Sequence, residues 1–255
     1  EVIVALNEAL DRAQEASAIV VLTGQPGILS GGYDLKVMMK GPEQAIALVT
    51  AGSALTRRML AHPQPIIVAC GGHAVAKGAF LLLASDYRLG VEGEFLIGLN
   101  EVQIGMTMHH VGILLARDRL SPAMFQRSVI NAEMFTPQAA LAAGFLDRVV
   151  APDRLMAAAL DVAQQMKKLN PGAHRHTKLK ARKALLEALD SSSVLSFMVR
   201  IGGEVRDDLT DNTRPQLSPA AQAARREVGG DCIALVARLV RTGQLPPVRR
   251  EDDAA

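Results

Sequence analysis

The chain has 255 residues, 49% hydrophobic and 3% aromatic, enough to bury a core in one large domain or two modest ones. Its 28 basic and 26 acidic residues leave a net charge of +2, which gives no electrostatic case for a nucleic acid or an anionic membrane partner. No apolar run approaches a bilayer span, and Cys70 and Cys232 have neither metal nor disulfide spacing, so the expected setting is a reducing cytoplasm. The opening EVIVALNEALDRAQ is acidic and amphipathic, unlike a signal or transit peptide, and carries no initiator Met.

Val4 to Glu15 reads as a helix with Leu6, Leu10 and Ala13 on one face. Ala18 to Leu22 is a short continuous apolar run, which suits a strand covered on both faces. A Thr23–Gly27 loop leads to Ile28–Leu35, where the pair Gly31-Gly32 lets a ligand approach the main chain and Asp34 can cap the next helix. Pro42 to Leu60 reads as a long helix with Ile46, Val49, Leu55, Met59 and Leu60 inward, broken by Pro63-Gln64-Pro65.

The next stretch, Ile66 to Glu101, organises the chain. A β-branched strand (Ile66 to Cys70) stops at Gly71-Gly72, and a small-residue helix follows over Ala76 to Ala84. Ser85-Asp86 turns the chain, and a strand over Glu94 to Ile97 precedes Leu99-Asn100-Glu101. Beyond it, Val102 to Met108 is irregular and His109 to Asp118 reads as helix. Ser121-Pro122 and Thr136-Pro137 are helix starts, and Gly144 is a stop. Phe145 to Val150 reads as a last strand, followed by helices over Pro152 to Leu169 and His174 to Leu189. Strands alternate with helices to about residue 150 and helices alone follow, so the expected fold class is α/β with a helical appendage. After Asp190 the composition turns linker-like, with helices expected over Pro219 to Val228 and Cys232 to Arg241. No strict internal repeat is visible.

Two places combine glycines with a helix start: Gly31-Gly32-Tyr33 and Gly72 to Gly78. Backbone N–H groups at such points lack partners and can stabilise negative charge on a thioester oxygen. Glu101 is a candidate carboxylate base beside them. The same residues also fit plain turns and a solvated loop carboxylate.

The order and spacing of three segments resemble the crotonase superfamily of enoyl-CoA hydratases and isomerases. VVLTG…LSGGYDL is similar to that family's VVLTG…FSAGADL. IIVACGGHAVAKGAFLLLASDYRLG is similar to PVIAAVNGxAxGGGxxLxxxCDxRxA, and TPQAALAAGFLDRVV resembles the segment that closes the family's core. The resemblance spans about residues 1 to 190. It implies a spiral of ββα units over residues 1–150 and a helical trimerisation region over 151–190; residues 191–255, read as an extra helical tail, match nothing in the family. It also implies a homotrimer or a dimer of trimers acting on acyl-CoA, with coenzyme A as part of the substrate and no separate cofactor or metal. Family members usually start with a further strand pair that helps bind the adenosine of CoA; this sequence lacks that pair, which leaves part of the CoA site unaccounted for.

Carried over by position, Tyr33 and Lys77 supply the oxyanion-hole N–H groups. Lys77 departs from the family's glycine, and its ammonium either lies in solvent or reaches toward CoA phosphates. The hydratases' first glutamate falls at Phe80, and the second at Glu101. A single carboxylate suits proton shuttling, and FLIGLNE resembles the IGLNE of mitochondrial-type Δ3,Δ2-enoyl-CoA isomerases. His109 and His110 line the acyl pocket as a replacement acid, or act as a cap and a surface group. Asp34 and Asp86 read as structural, and the basic run Arg175 to Lys183 reads as a solvated face or a contact for CoA phosphates. An isomerase is therefore expected, with a hydratase or a non-catalytic acyl-CoA scaffold as the alternatives.

Overall fold

The computed structural model describes residues 1–191 and, as backbone, the strand Val236–Val240. Nine strands form two sheets among these residues. The larger has the order β8(Arg148–Val150), β5(Tyr87–Val91), β3(Ile66–Cys70), β1(Ile19–Thr23), β9(Val236–Val240). The smaller has the order β2(Gly27–Ser30), β4(Gly72–Val75), β6(Ile97–Gly98), β7(Met134–Phe135). Pairing is parallel throughout except for β9 on β1 and β7 on β6.

The chain winds as a spiral. β1 enters the large sheet, β2 the small one, and the chain then passes through α2(Leu35–Met38) and α3(Pro42–Ala61). β3, β4 and α4(Lys77–Leu83) repeat that path, and β5, β6 and α5(His110–Arg119) repeat it again. Over β1 to β6, odd strands thus stack in one sheet and even strands in the other, which confirms the ββα spiral.

The apolar runs become strands because both faces of the large sheet are covered. Ile67 and Ala69 of β3 pack with Ile19, Val21 and Leu89 under α8(Leu155–Met166), whose Leu155, Ala159 and Val162 face the sheet. Ile66, Val68 and Cys70, the alternate residues of β3, face the other way with Val20 and Leu22. There they meet Leu6 and Leu10 of α1(Val2–Glu15) and Leu55, Met59 and Leu60 of α3. Ile46 is only half-buried, and Leu169, expected on the inward stripe of a longer helix, is exposed beyond the end of α8.

The punctuation signals act as read. Asp34, Ser121 and Thr136 accept backbone N–H groups at the starts of α2, α6(Pro122–Phe125) and α7(Pro137–Ala143), and Gly144 ends α7 at φ 101°. Three readings need correction. The glycine pair at Gly71-Gly72 is not a plain turn into a helix: Gly72–Val75 is a strand, admitted because a Cβ on Gly72 would lie 2.0 Å from the Gly27 carbonyl. The basic helix is two helices, α9(Pro171–Ala181) and α10(Lys183–Ser191), parted at Arg182. Val236–Val240, expected to be helical, is a strand that runs antiparallel along β1; its valine-rich run suits an extended chain and covers what would be an open edge. The expected helix over 219–228 lies outside the described residues.

Residues 151–190 dock through a buried charge cluster rather than a solvated basic face. Lys178 donates to Asp86 at 2.7 Å, Arg182 pairs with the other Asp86 oxygen at 3.0 Å, and the Ile66 N–H bonds the same carboxylate at 2.8 Å. Arg182 also donates to the Leu60 carbonyl at 2.8 Å. Neither cation is therefore available for CoA phosphates; the rest of the run is exposed or half-buried.

Candidate active site

β2, β4 and β6 lie side by side and parallel, so their C-terminal ends share one edge of the small sheet. Tyr33 follows β2 by three residues, Lys77 follows β4 by two and Glu101 follows β6 by three. The three thus leave equivalent points in successive turns of the spiral. Such an edge, where parallel strands end and helices begin, is where α/β proteins place their ligands.

The first two loops touch. A Cβ on Gly32, at φ 109°, would stand 3.1 Å from the Ala76 Cβ and 3.8 Å from the Lys77 nitrogen. Any larger residue at 32 would separate Tyr33 from Lys77. Ala76 sits at φ 51°, ψ −116°, a conformation of tight turns that favours glycine, held by its N–H bond to the Gly98 carbonyl at 3.0 Å. That strained turn presents Lys77 as the first residue of α4, whose N–H has no intrahelical acceptor. Among the described residues, the Tyr33 N–H has no backbone or side-chain acceptor either. Two adjacent N–H donors, one at a helix N-terminus, form an arrangement that can stabilise an oxyanion.

Glu101 caps a single 3-10 turn (Val102–Ile104), and its carbonyl takes the Met106 N–H at 2.9 Å. The side chain is buried, and its Oε2 has no hydrogen-bond partner among the described residues. Burial raises its pKa to about 7, with a hydrogen bond to its own N–H as the smaller, opposing effect. A carboxyl group poised near neutrality can take up and return a proton.

The Lys77 side chain corrects both readings made of it. It neither lies in solvent nor reaches outward, but folds under α3. Its Nζ donates to the Gly52 carbonyl at 2.6 Å and to the Thr56 hydroxyl, and burial without a carboxylate lowers its pKa to about 7. Phe80, expected from the resemblance to stand where a hydratase has its first glutamate and to line the acyl pocket, is part of the core. Its ring is wholly buried, 5.1 Å from the His109 ring, and a Cβ on Gly112 of α5 would meet it at 2.7 Å.

His109 caps α5, its Nδ1 accepting the Gly112 N–H at 3.2 Å. Burial first, then the Lys77 charge, pushes its pKa to about 3, so it is neutral at working pH and a poor proton donor. His110 is exposed. The cap and surface readings of the histidines therefore hold, and the replacement acid is not found. Asn100, whose Oδ1 is buried and unpartnered beside Glu101, was missed because a lone asparagine before a glutamate carries no sequence signal.

The model for enoyl-CoA hydratase/isomerase matches residues 1–199. A crystal structure of an enoyl-CoA hydratase/isomerase family protein from Pseudomonas syringae is 66% identical. It covers 77% of this chain and 85% of its own, with a TM-score of 0.76. Human mitochondrial Δ3-Δ2-enoyl-CoA isomerase superposes with a TM-score of 0.75 at 25% identity over 89% of this chain and 88% of its own. A putative enoyl-CoA hydratase from Thermus thermophilus is 30% identical over 70% of this chain and 72% of its own length. The chain belongs to the enoyl-CoA hydratase/isomerase family, within the crotonase superfamily.

Proposed function

We propose that this chain moves the double bond of a 3-enoyl-CoA to the 2-position, with Glu101 as the only proton carrier. The Glu101 carboxylate takes a proton from C2. Charge passes through the diene to the thioester oxygen, where the Tyr33 and Lys77 N–H groups hold it. The same proton then returns at C4. Atoms and charge balance without water, redox group or metal, and the thioester brings its own coenzyme A.

The observation that carries this reading is that none of the three positions where a second acid was expected supplies one. Phe80 is packed in the core, His109 is a neutral cap and His110 is exposed. Water addition by the two-glutamate route needs a second group to hold and protonate. The similarity to human Δ3-Δ2-enoyl-CoA isomerase supports the reading, whereas the Thermus relative is named a hydratase, so an assay must separate them.

The test is 3-enoyl-CoA isomerisation beside 2-enoyl-CoA hydration, for the wild type and for Glu101→Gln. Isomerisation should exceed hydration and collapse in the variant. Isomerisation undiminished by the substitution would sink the proposal; tight CoA-ester binding without turnover would favour a scaffold. A cytoplasmic homotrimer, or a dimer of trimers, is part of the same proposal, and light scattering measures its mass.

A further inference from the structure

The oxyanion role uses only the backbone of Tyr33 and Lys77 and leaves both side chains unexplained. Both go to one residue of α3. A Cβ on Gly52 would lie 2.1 Å from the Tyr33 Oη and 2.6 Å from its ring, so glycine there makes room for the phenol. The Gly52 carbonyl accepts from Lys77 Nζ at 2.6 Å and from the Thr56 hydroxyl at 3.0 Å. Nζ also donates to the Thr56 oxygen, which closes a triangle of bonds. The amine stands 5.9 Å from the Tyr33 and Phe80 ring centres, within the range at which an aromatic face attracts a cation.

Stability does not account for a lysine here. Burying an amine that meets no carboxylate opposes folding, and an unbranched apolar side chain would fill the space without that penalty. Removing the amine would leave neither of its acceptors unpaired, since the Thr56 hydroxyl would still bond the Gly52 carbonyl. What the lysine supplies is a link between α3 and the start of α4. Ala76, just before it at φ 51°, ψ −116°, holds a strained conformation that persists only where its surroundings over-determine it. Its N–H bond to Gly98 fixes the turn against β6. A Cβ on Gly78 would lie 2.3 Å from the Ser30 carbonyl, so close packing fixes α4 against β2. Neither contact reaches α3, where the Tyr33 phenol lies.

We propose that the Lys77 side chain is a positioning residue for the oxyanion hole: by holding Gly52 and Thr56, it registers its own N–H against the Tyr33 N–H on one turn of α3. The inference rests on the acyl-CoA reading above and adds α3 to the site. A misplaced donor matters most where negative charge develops, so the effect belongs to the enolate and not to the resting thioester.

A 3-oxoacyl-CoA separates the two states. When its C2 proton passes to the buffer, the charge spreads onto the thioester and 3-oxo oxygens, and the enolate has its own ultraviolet band. The enolate-to-keto ratio of the bound ester is read at about pH 9 in the wild type, Lys77→Met, Thr56→Val and Thr56→Ser. At that pH the amine is uncharged, so a difference reports geometry and not the field of an ammonium. Calorimetry with the saturated acyl-CoA of the same length gives the affinity for the uncharged thioester. Lys77→Met should lower the ratio at least about tenfold while its saturated-ester affinity stays within about twofold of the wild type. Thr56→Val, which keeps the lysine but removes one bond, should lower the ratio by less, and Thr56→Ser should match the wild type. An unchanged ratio in Lys77→Met overturns the inference. So does an equal loss of affinity for the saturated ester, the pattern of a merely structural anchor. If Lys77→Met does not fold, a wild-type ratio in Thr56→Val overturns it instead. Failure of the wild type to bind either ester overturns the reading on which it stands.

Discussion

The two ends of α4 handle buried charge in opposite ways. At its N-terminal end, Glu101 and Lys77 are both buried with no ion-pair partner among the described residues, and each is pushed to about 7. Just past its C-terminal end, Asp86, its side chain only 7% exposed, is met by Lys178, Arg182 and a backbone N–H. The same helix thus separates a carboxyl group left reactive from one that joins residues 151–191 to the spiral. What distinguishes them is partnership: a buried charge without a partner shifts toward its neutral form, and one met by opposite charges and hydrogen bonds becomes a structural tie.

Removing the reactive charge tests this contrast most strongly. Glu101→Gln should cut isomerisation by about 10²–10⁴-fold, the usual worth of a positioned acid–base group. It should not lower thermal stability at neutral pH, because the native protein gains nothing from ionising this side chain. In the wild type, kcat/KM should fall about tenfold per pH unit below 7, as protonation removes the base.

Breaking the paired end should do the reverse. Asp86→Asn leaves Lys178 and Arg182 buried without a carboxylate and should cost about 3–5 kcal/mol in urea unfolding. If activity per folded molecule falls as far as in Glu101→Gln, the two ends are not functionally separate.

Stability against pH sharpens the comparison further. Glu101 has a raised pKa, so the folded protein binds the extra proton. Its contribution is complete below 4.5 and is lost as pH rises through 7, about 3 kcal/mol over that window. Lys77 has a lowered pKa, so its contribution is complete above 10.5 and is lost as pH falls through 7. Subtracting the unfolding profile of Glu101→Gln from that of the wild type should isolate the acid limb. Lys77→Met should isolate the alkaline one.

The smallest effect belongs to the pair of Arg57 and Asp190, which also links α3 to α10 but is about half exposed at both partners. Asp190→Asn should cost under about 1 kcal/mol, and less in high salt. A loss near that of Asp86→Asn would contradict the view that burial decides what a charge pair contributes.

Much of this was legible in the chain itself. Ile66–Cys70 reads as a strand because five consecutive apolar residues suit a sheet covered on both faces, and Asp34, Ser121, Thr136 and Gly144 mark helix ends through their own local chemistry. The resemblance in LSGGYDL and in the segment ending at IGLNE located Tyr33, Lys77 and Glu101, though not what surrounds them. The spiral came from the resemblance and not from any internal repeat, because its turns share a path rather than a residue pattern. The strand Gly72–Val75 escaped because two glycines punctuate a sequence whatever the pairing they permit.

The sequence by itself determined the elements, their order and the family, since those depend on periodicity, capping and motif spacing within short stretches. Only the tertiary structure decided which charges are paired. Lys77 and Lys178 are both lysines in helical segments, and nothing local says that one lies under α3 and the other against Asp86, 92 residues away. Charge state depends on what is nearby in space, and only folding brings those neighbours together.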